Sequence, residues 1–346
     1  MSLSYIDMLC IIQKRIVQNA YSLTRCFTSQ IINCQQNQPE DHLLRSEDNY
    51  TFIRREDTRF LKVAIVGAPN AGKSTLVNQL VNRTVCPTSS KVHTTQTKCN
   101  AIYSTENTQL VFIDTPGFIT PREQTKFNLN NSFQDDPQAS IKIADVVGII
   151  HDAGNRWTRN KLHQKSLDLL NSVNSDIPIL LILNKIDQIK DKKILLELIK
   201  TLTSEKGCPK LTDVFLISAL NCDGVDTLRE YLLCTAKSQD WQYNEDTYTD
   251  QSPETIIQQT VRAKLMDFLP KEIPYILHST LEYFEVYPDG RINTSITIEC
   301  PNKRKTSLLI GIKAQRIKLI AEQCENELRH AFRAPVRLKL NVISKK

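Results

Sequence analysis

Gly67-Ala68-Pro69-Asn70-Ala71-Gly72-Lys73-Ser74-Thr75 is the stretch on which the reading of this 346-residue chain turns. It follows a short apolar run, Leu61 to Val66, that reads as a buried strand, and it opens a helical pattern from Lys73 to Val81. Strand, glycine-bearing loop and helix are the context in which G-x-x-x-x-G-K-[ST] cradles phosphate. Glycines at 67 and 72 permit the tight turn that aims successive backbone N–H groups inward, and the helix start adds its positive dipole end. Lys73 suits the β- and γ-phosphates as a mobile charge, and the Ser74 hydroxyl suits a site on Mg²⁺. The plain alternative is a chance match in a glycine-containing turn, and motifs further along decide against it.

Working outward, apolar runs alternate with longer helical patterns over residues 59–235, the layout of a mostly parallel sheet wrapped by helices. Six strands are expected, at 61–66, 97–104, 108–114, 145–151, 178–184 and 213–218. Only Thr105-Glu106-Asn107 separates the second from the third, so these two should form a hairpin and supply one antiparallel edge. Asp114-Thr115-Pro116-Gly117 stands at the end of the third strand. There a carboxylate can hold Mg²⁺ through water, and the Gly117 N–H can sense a γ-phosphate at close range. Asn184-Lys185-Ile186-Asp187 ends the fifth strand, where Asp187 can accept two hydrogen bonds from the ring N–H and exocyclic amine of guanine. Adenine lacks that donor pair, so a buried carboxylate discriminates between the two bases by roughly 10⁴-fold or more. Ser218-Ala219-Leu220 follows the sixth strand and is expected to give a backbone contact to the guanine oxygen. His151 and Asp152, ending the fourth strand, read as structural.

The order 67–75, 114–117, 184–187, 218–220 resembles the small GTPase superfamily throughout this domain. That resemblance implies a mobile-loop threonine closing on Mg²⁺ and the γ-phosphate, and within Pro87 to Lys98 either Thr94 or Thr95 fits, with Thr95 preferred. The segment 118–140 is the second expected mobile stretch. Phe118 follows the D-T-P-G motif where many GTPases place a water-orienting glutamine nearby, so slow unaided hydrolysis is expected. Asn70 looks like the asparagine that helps GTPases of the TrmE and Era type hold a potassium ion against the phosphates. The catalytic set is therefore Lys73, Thr95, Gly117 and Asn70, with GTP or GDP, Mg²⁺ and K⁺ as the implied ligands.

A polar, acidic stretch from 236 to 253 carries Trp241, Tyr243 and Tyr248 and reads as a linker. Beyond it a helix places Ile257, Val261, Leu265 and Phe268 on one face. Strands at 276–287 and 291–300 follow, joined by Pro288-Asp289-Gly290, then a short segment ending in Gly311-Ile312-Lys313-Ala314. A helix burying Ile317, Ile320, Cys324 and Leu328 and a last strand alternating Val336, Leu338, Leu340 and Val342 close the chain. This order resembles a type II KH domain over 254–346, an α+β fold whose G-x-x-G turn clamps single-stranded nucleic acid. Here Ala314 replaces the second glycine, which matters only if that position needs φ > 0. Gly311, Ile312, Lys313, Ala314 and Arg316 are the residues the resemblance assigns to RNA. From Lys303 onward, Lys303, Arg304, Lys305, Lys313, Arg316, Lys318, Arg329, Arg333, Arg337, Lys339, Lys345 and Lys346 face only three acids, Glu322, Glu325 and Glu327. Such a basic end suits a polyanion.

A GTPase domain followed by one such KH domain resembles the Era family, over roughly 60–343, including Asp246-Thr247-Tyr248-Thr249-Asp250-Gln251-Ser252 and Glu272-Ile273-Pro274-Tyr275. The resemblance implies a GTP-gated chaperone that binds small-subunit ribosomal RNA near its 3′ end in the assembling small ribosomal subunit, with no role for DNA. Residues 1–58 are expected to be a transit peptide and linker. Before Glu40 the only acid is Asp7, while Lys14, Arg15 and Arg25 are basic and Leu9, Ile12, Ile16 and Leu23 share a helical face. Arg25-Cys26-Phe27-Thr28-Ser29 looks like a matrix processing site, so the resemblance extends to the mitochondrial branch and a matrix location. Ten scattered cysteines without a C-x-x-C pair fit reduced thiols rather than a disulfide framework or a zinc site. No apolar run is long enough to cross a bilayer, which leaves room only for peripheral membrane association. Two rival readings differ in class. One is a nucleotide-stabilised RNA- or protein-binding scaffold without turnover, and the other is an ATP-dependent small-molecule kinase, which Asn184 to Asp187 oppose.

Overall fold

The strand that leads into the phosphate loop, β1 (Arg59–Gly67), lies at the centre of the larger sheet in the computed structural model. The structure describes residues 57–346 except 90, 92–97, 116, 118–131, 172, 174–175, 205–209, 271 and 345–346, with backbone alone at 132–136. The expected transit peptide, Thr94, Thr95, Pro116 and Phe118 therefore lie outside the described residues. β1 pairs in parallel with β3 (Thr108–Asp114) on one side and β4 (Val146–Asp152) on the other. β5 (Ile179–Asn184) and β6 (Asp213–Leu216) continue the parallel run, and β2 (Cys99–Ser104) pairs antiparallel with β3 as the expected hairpin. The order β2-β3-β1-β4-β5-β6 reverses at β1. Such a switch point opens a crevice at the carboxyl ends of the strands, and all four motifs occupy those ends.

Both faces of the sheet are covered, which is why its strands read as unbroken apolar runs rather than alternating ones. Leu61, Val63 and Ile65 pack with Leu76, Val77 and Leu80 of α1 (Lys73–Leu80) and with Leu228 and Leu232 of α5 (Val225–Thr235). Their neighbours Ala64 and Val66 turn to the opposite layer, with Ile141 of α2 (Ser132–Lys142) and Leu169 and Leu170 of α3 (Gln164–Leu170). α4 (Lys192–Thr203) seals the far end with Leu198 and Leu202.

Among the described residues the sheet has seven strands rather than the expected six. Lys237–Ser238 forms β7, pairing antiparallel with Arg59 and Phe60. Two polar residues carry no strand signal. What places them is the Arg59 guanidinium, which donates to the Cys234 carbonyl at 3.0 Å and the Ala236 carbonyl at 2.6 Å. The stretch expected to be a linker is in fact strapped along the β2–β3 edge. Gln109 Nε2 donates to the Tyr243 carbonyl at 2.9 Å, Ile102 N donates to the Tyr248 carbonyl at 2.9 Å, and Asn100 N donates to Asp250 Oδ1 at 2.9 Å. An exposed edge strand is thereby covered.

The C-terminal half follows the expected element order. α6 (Pro253–Phe268) is capped by Ser252, whose hydroxyl accepts from Thr255 N, and begins with proline at its first turn. β8 (His278–Val286) pairs antiparallel with β9 (Ile292–Cys300), and β10 (Val336–Ser344) pairs in parallel with β9. α7 (Lys303–Ile310) and α8 (Gln315–Phe332) lie between β9 and β10 in sequence, and α8 packs on both α6 and β10. Ile257, Val261, Ile296, Ile298, Ile320, Cys324 and Leu328 are fully buried in one cluster, as their spacing requires.

Candidate functional site

Two glycines of the phosphate loop are dictated by close approach. A Cβ at Gly67 would lie 2.4 Å from the Ile150 carbonyl oxygen. One at Gly72, whose φ is +101°, would lie 2.2 Å from Asn184 Nδ2. Asn70 also takes a left-handed φ of 58° and stands on the wall of an open cleft with Pro69, Lys73, Ser74, Lys91 and Gly117. Lys73 is 6% exposed, and its Nζ donates to the carbonyls of Gly67 at 3.2 Å and Ala68 at 3.0 Å. Burial pulls its pKa down to about 8, against the opposing pull of Asp114. A buried ammonium held on two carbonyls gains strongly from a phosphate, which adds negative charge to that of Asp114.

Ser74 Oγ donates to Asp114 Oδ2 at 2.7 Å. A hydroxyl and a fully buried carboxylate side by side are hard oxygen donors, too few to cage an ion yet sufficient when phosphate and water complete the shell. That is how Mg²⁺ is usually held, so the residues fit the ion. Thr115 Oγ1 donates to the Ile65 carbonyl at 2.9 Å, fastening the second motif to β1. Gly117 lies so near that a Cβ there would be 3.0 Å from Pro69 Cα and 3.2 Å from Lys73 Nζ. Cys86 and Cys99 also approach Asp114, with their sulfurs 3.1 Å apart. The hydrogen bond to Cys99 and burial push the Cys86 thiol well up, and the Cys99 thiol is raised as well. Both sulfurs are buried and pack beside the Asp114 carboxylate.

At the base-recognition end, Asn184 is 2% exposed and bridges three motifs. Its Nδ2 donates to the Ala71 carbonyl at 2.8 Å and its Oδ1 accepts from Ala219 N at 2.9 Å. Within Ser218-Ala219-Leu220, the stretch expected to give a backbone contact to the guanine oxygen, the Ala219 amide is engaged by Asn184 and Leu220 is 74% exposed. Asp187 Oδ1 accepts from Ser218 Oγ at 2.6 Å, which orients the carboxylate. Lys185 has φ 65° and an ion pair to Asp152 at 2.7 Å, while His151 Nε2 donates to the Arg159 carbonyl at 2.8 Å. Both residues at the end of β4 are structural, as expected.

In the C-terminal half, α7 ends at Gly311, with φ 74°, followed by a 3-10 turn over Ile312–Ala314. Lys313 and Ala314 both adopt left-handed backbone, with φ 48° and 60°. The fourth position of the turn therefore does require positive φ, and alanine occupies it at a cost. Ile312 is 81% exposed at the tip. Arg316 turns back to donate to the Leu308 carbonyl, so its guanidinium clamps the turn instead of projecting from it. Of the opposing acids, Glu327 pairs with Lys264, and Glu325 accepts from Leu338 N at 2.9 Å and pairs with Arg329.

Residues 62–185 match the family described as 50S ribosome-binding GTPase. The chain is 35% identical to the mitochondrial GTPase Era of Danio rerio over 83% of this chain and 76% of that one. It is 33% identical to GTPase Era of Mesorhizobium japonicum, over 81% and 86%. The chain belongs to the Era family of GTPases. Among solved structures, Era in complex with MgGDPNP and nucleotides 1506–1542 of 16S ribosomal RNA superposes with a TM-score of 0.70 at 28% identity, over 83% of this chain and 94% of that one. A single-residue variant of Aquifex aeolicus Era bound to GDP and AlF4⁻ gives 0.71 at 27% identity, over the same shares of the two chains.

In this Era-family GTPase the two halves meet through residues that sequence reasoning missed. Arg83, just after α1, stacks its guanidinium 3.5 Å from the centroid of Tyr248 and donates to the Ala331 carbonyl near the end of α8 at 2.6 Å. Ser89 Oγ donates to Asp267 Oδ1 of α6 at 2.8 Å, and Lys91 Nζ donates to the Leu269 carbonyl. Ser89 and Lys91 line the phosphate cleft at the same time. No local periodicity marks such contacts; the one available signal was basic residues bracketing the Ser- and Thr-rich loop.

Proposed function

We propose that this GTPase is a nucleotide-gated RNA chaperone of the small ribosomal subunit, acting in mitochondria. The observation that carries the gating is the double role of Ser89 and Lys91, which line the phosphate cleft and bond to Asp267 and Leu269 of the KH-like half. A ligand biases two states only by contacting them differently, and a γ-phosphate arriving in this cleft competes for the groups that hold the two halves together.

In the bound state the loop amides cradle the β- and γ-phosphates, and Lys73 exchanges the carbonyls of Gly67 and Ala68 for phosphate oxygens. Ser74 and Asp114, with Thr95 from the loop, are the proposed holders of Mg²⁺, which supplies charge neutralisation on the phosphates. The Gly117 N–H is placed to detect the γ-phosphate, and Asn70 is the candidate holder of a potassium ion. Asp187, oriented by Ser218, selects guanine, and Asn184 and Lys185 keep the loop beneath the base in register. The turn Gly311–Ala314 and the basic surplus behind it contact single-stranded RNA near the 3′ end of the small-subunit RNA. The boundaries 59–235, 236–253 and 254–346 serve as the working domain division. Residues 1–58 serve as the mitochondrial address, in line with relatives named as mitochondrial.

The test is RNA affinity with a non-hydrolysable GTP analogue against GDP, in the natural chain and in Lys313→Glu. Tighter binding with the analogue, lost in Lys313→Glu, is expected. Equal binding in the two nucleotides would replace the gate with the scaffold reading. Hydrolysis equally fast in Na⁺ and K⁺ would remove the potassium ion.

A further inference from the structure

The most exposed large apolar side chain among the described residues is Trp157, at 95%. It stands in the loop after β4 and does not line the phosphate cleft. Tryptophan offers one of the largest apolar surfaces of any side chain and is mostly buried, so a fully solvated ring is a poor use of it unless a ligand covers it. The loop that carries it is held by its own hydrogen bonds. Asp152 Oδ1 accepts from Gly154 N at 3.0 Å and from Asn155 N at 3.2 Å, and Asn155 Oδ1 accepts from Trp157 N at 3.1 Å. The Asn155 carbonyl accepts from Thr158 N and Arg159 N, and His151 closes the far side on the Arg159 carbonyl. The loop is also joined to the base-recognition motif, through Ala153 N donating to the Asn184 carbonyl at 3.0 Å and through Lys185 on Asp152.

Along the loop itself the charge is one-signed. From Ala153 to Lys165 the chain carries Arg156, Arg159, Lys161 and Lys165 and no acidic residue. The acid at the loop's root, Asp152, is neutralised by Lys185. Ala153 and Leu162, the apolar residues that flank the tip, are buried. A single ring with no second exposed apolar residue in its loop is too little surface to hold a bilayer, whereas an aromatic face on a cationic loop suits a nucleobase stacked beside its own phosphates. We propose that Trp157 is a stacking platform for an unpaired RNA base, with Arg156 and Lys161 on the adjoining phosphates. It forms a second RNA contact on the GTPase half, separate from the Gly311–Ala314 turn. This rests on the reading of the chain as an RNA-binding protein.

The chain has two tryptophans, at 157 and 241, so Trp241→Phe leaves Trp157 as the sole indole reporter in the full-length protein. Oligoadenylate and the 3′-terminal small-subunit RNA are titrated separately, with and without Lys313→Glu. Stacking is expected to quench Trp157 saturably. Trp157→Ala should weaken RNA binding about tenfold, with Trp157→Phe recovering most of the loss. Because the side chain is solvated, the melting temperature should not move. Quenching that survives Lys313→Glu would mark the contact as separate from the turn. RNA binding intact in Trp157→Ala with no quenching would overturn this inference and leave the function standing. No RNA binding by any form would overturn both. Quenching by phosphatidylserine vesicles, or by an acidic protein, without quenching by RNA would reassign the surface and overturn the inference.

Discussion

Two loops in this protein are proposed to meet phosphate, and they treat glycine differently. In Gly67–Thr75 the glycines stand where a Cβ would strike backbone or a buried amide, at 2.4 Å from Ile150 O and 2.2 Å from Asn184 Nδ2. In Gly311–Ala314 the first glycine is held likewise, 2.8 Å from Arg316 Cβ with φ 74°, but the fourth position has gone to alanine at φ 60°. Where atoms would overlap, no substitute exists; where only a dihedral is at stake, an L-residue survives at a cost of about 1–2 kcal/mol. The surroundings differ in the same sense. The first loop is clamped by Asn184 and Asp114, whereas the second projects Ile312 into solvent and is tied down by Arg316.

The largest effect that would break this contrast is Gly67→Ala. Forcing a methyl group to 2.4 Å from a carbonyl oxygen displaces β1 from β4, and the expected cost is about 3 kcal/mol with loss of GTP-analogue binding. Thermal melting and nucleotide titration check it. A variant that melts within two or three degrees of the parent, roughly 1 kcal/mol or less for a protein this size, would show that the loop has slack.

Lys73→Met sharpens the electrostatic half of the contrast. In the nucleotide-free protein the buried ammonium has a pKa of about 8 against an ordinary 10.5. Between those values the unfolded chain binds more protons than the folded one, so stability should rise with pH across that window. Below it the charge costs the fold something on the order of 1–3 kcal/mol. Methionine should therefore stabilise the nucleotide-free protein near neutral pH, flatten the alkaline rise, and abolish tight GTP binding. A destabilised Lys73→Met would mean that the bonds to Gly67 and Ala68 outweigh burial.

Arg83→Ala probes the seam between the two loops' domains. It removes stacking on Tyr248 and the bond to the Ala331 carbonyl, for an expected loss of about 1–2 kcal/mol. RNA affinity should then depend less on which nucleotide is bound. Unchanged melting with unchanged nucleotide dependence would remove Arg83 from the coupling.

The legibility of these features follows from their range. Strands of apolar residues and the helical faces through Ile257, Val261 and Leu328 are local periodicities, and the structure has them where the pattern requires. The four motifs were legible because each is a contiguous string tied to one chemistry. β7, the strap through Tyr243 and Tyr248, and the contacts of Arg83, Ser89 and Lys91 join residues more than a hundred positions apart by single polar bonds. No period announces them. The Asn184 side chain escapes a reading of letters for a related reason: it is shared among three motifs, and the string does not say which backbone donor it takes.

Ala314→Gly is the smallest and most direct test of the contrast. Alanine at φ 60° costs about 1–2 kcal/mol, while glycine gives the unfolded chain extra freedom worth about 0.4–1 kcal/mol in the other direction. The net expectation is a gain of roughly half a kcal/mol in stability, within reach of careful chemical denaturation. RNA binding should strengthen modestly too, if the turn clamps phosphate through its backbone as proposed, since glycine there removes a methyl group from that face. Gly311→Ala should act oppositely and harder, because it meets both the dihedral and the Arg316 side chain. If Ala314→Gly instead weakens RNA binding while stabilising the fold, the alanine methyl is itself a contact, and the turn recognises its ligand by packing rather than by backbone clamping alone.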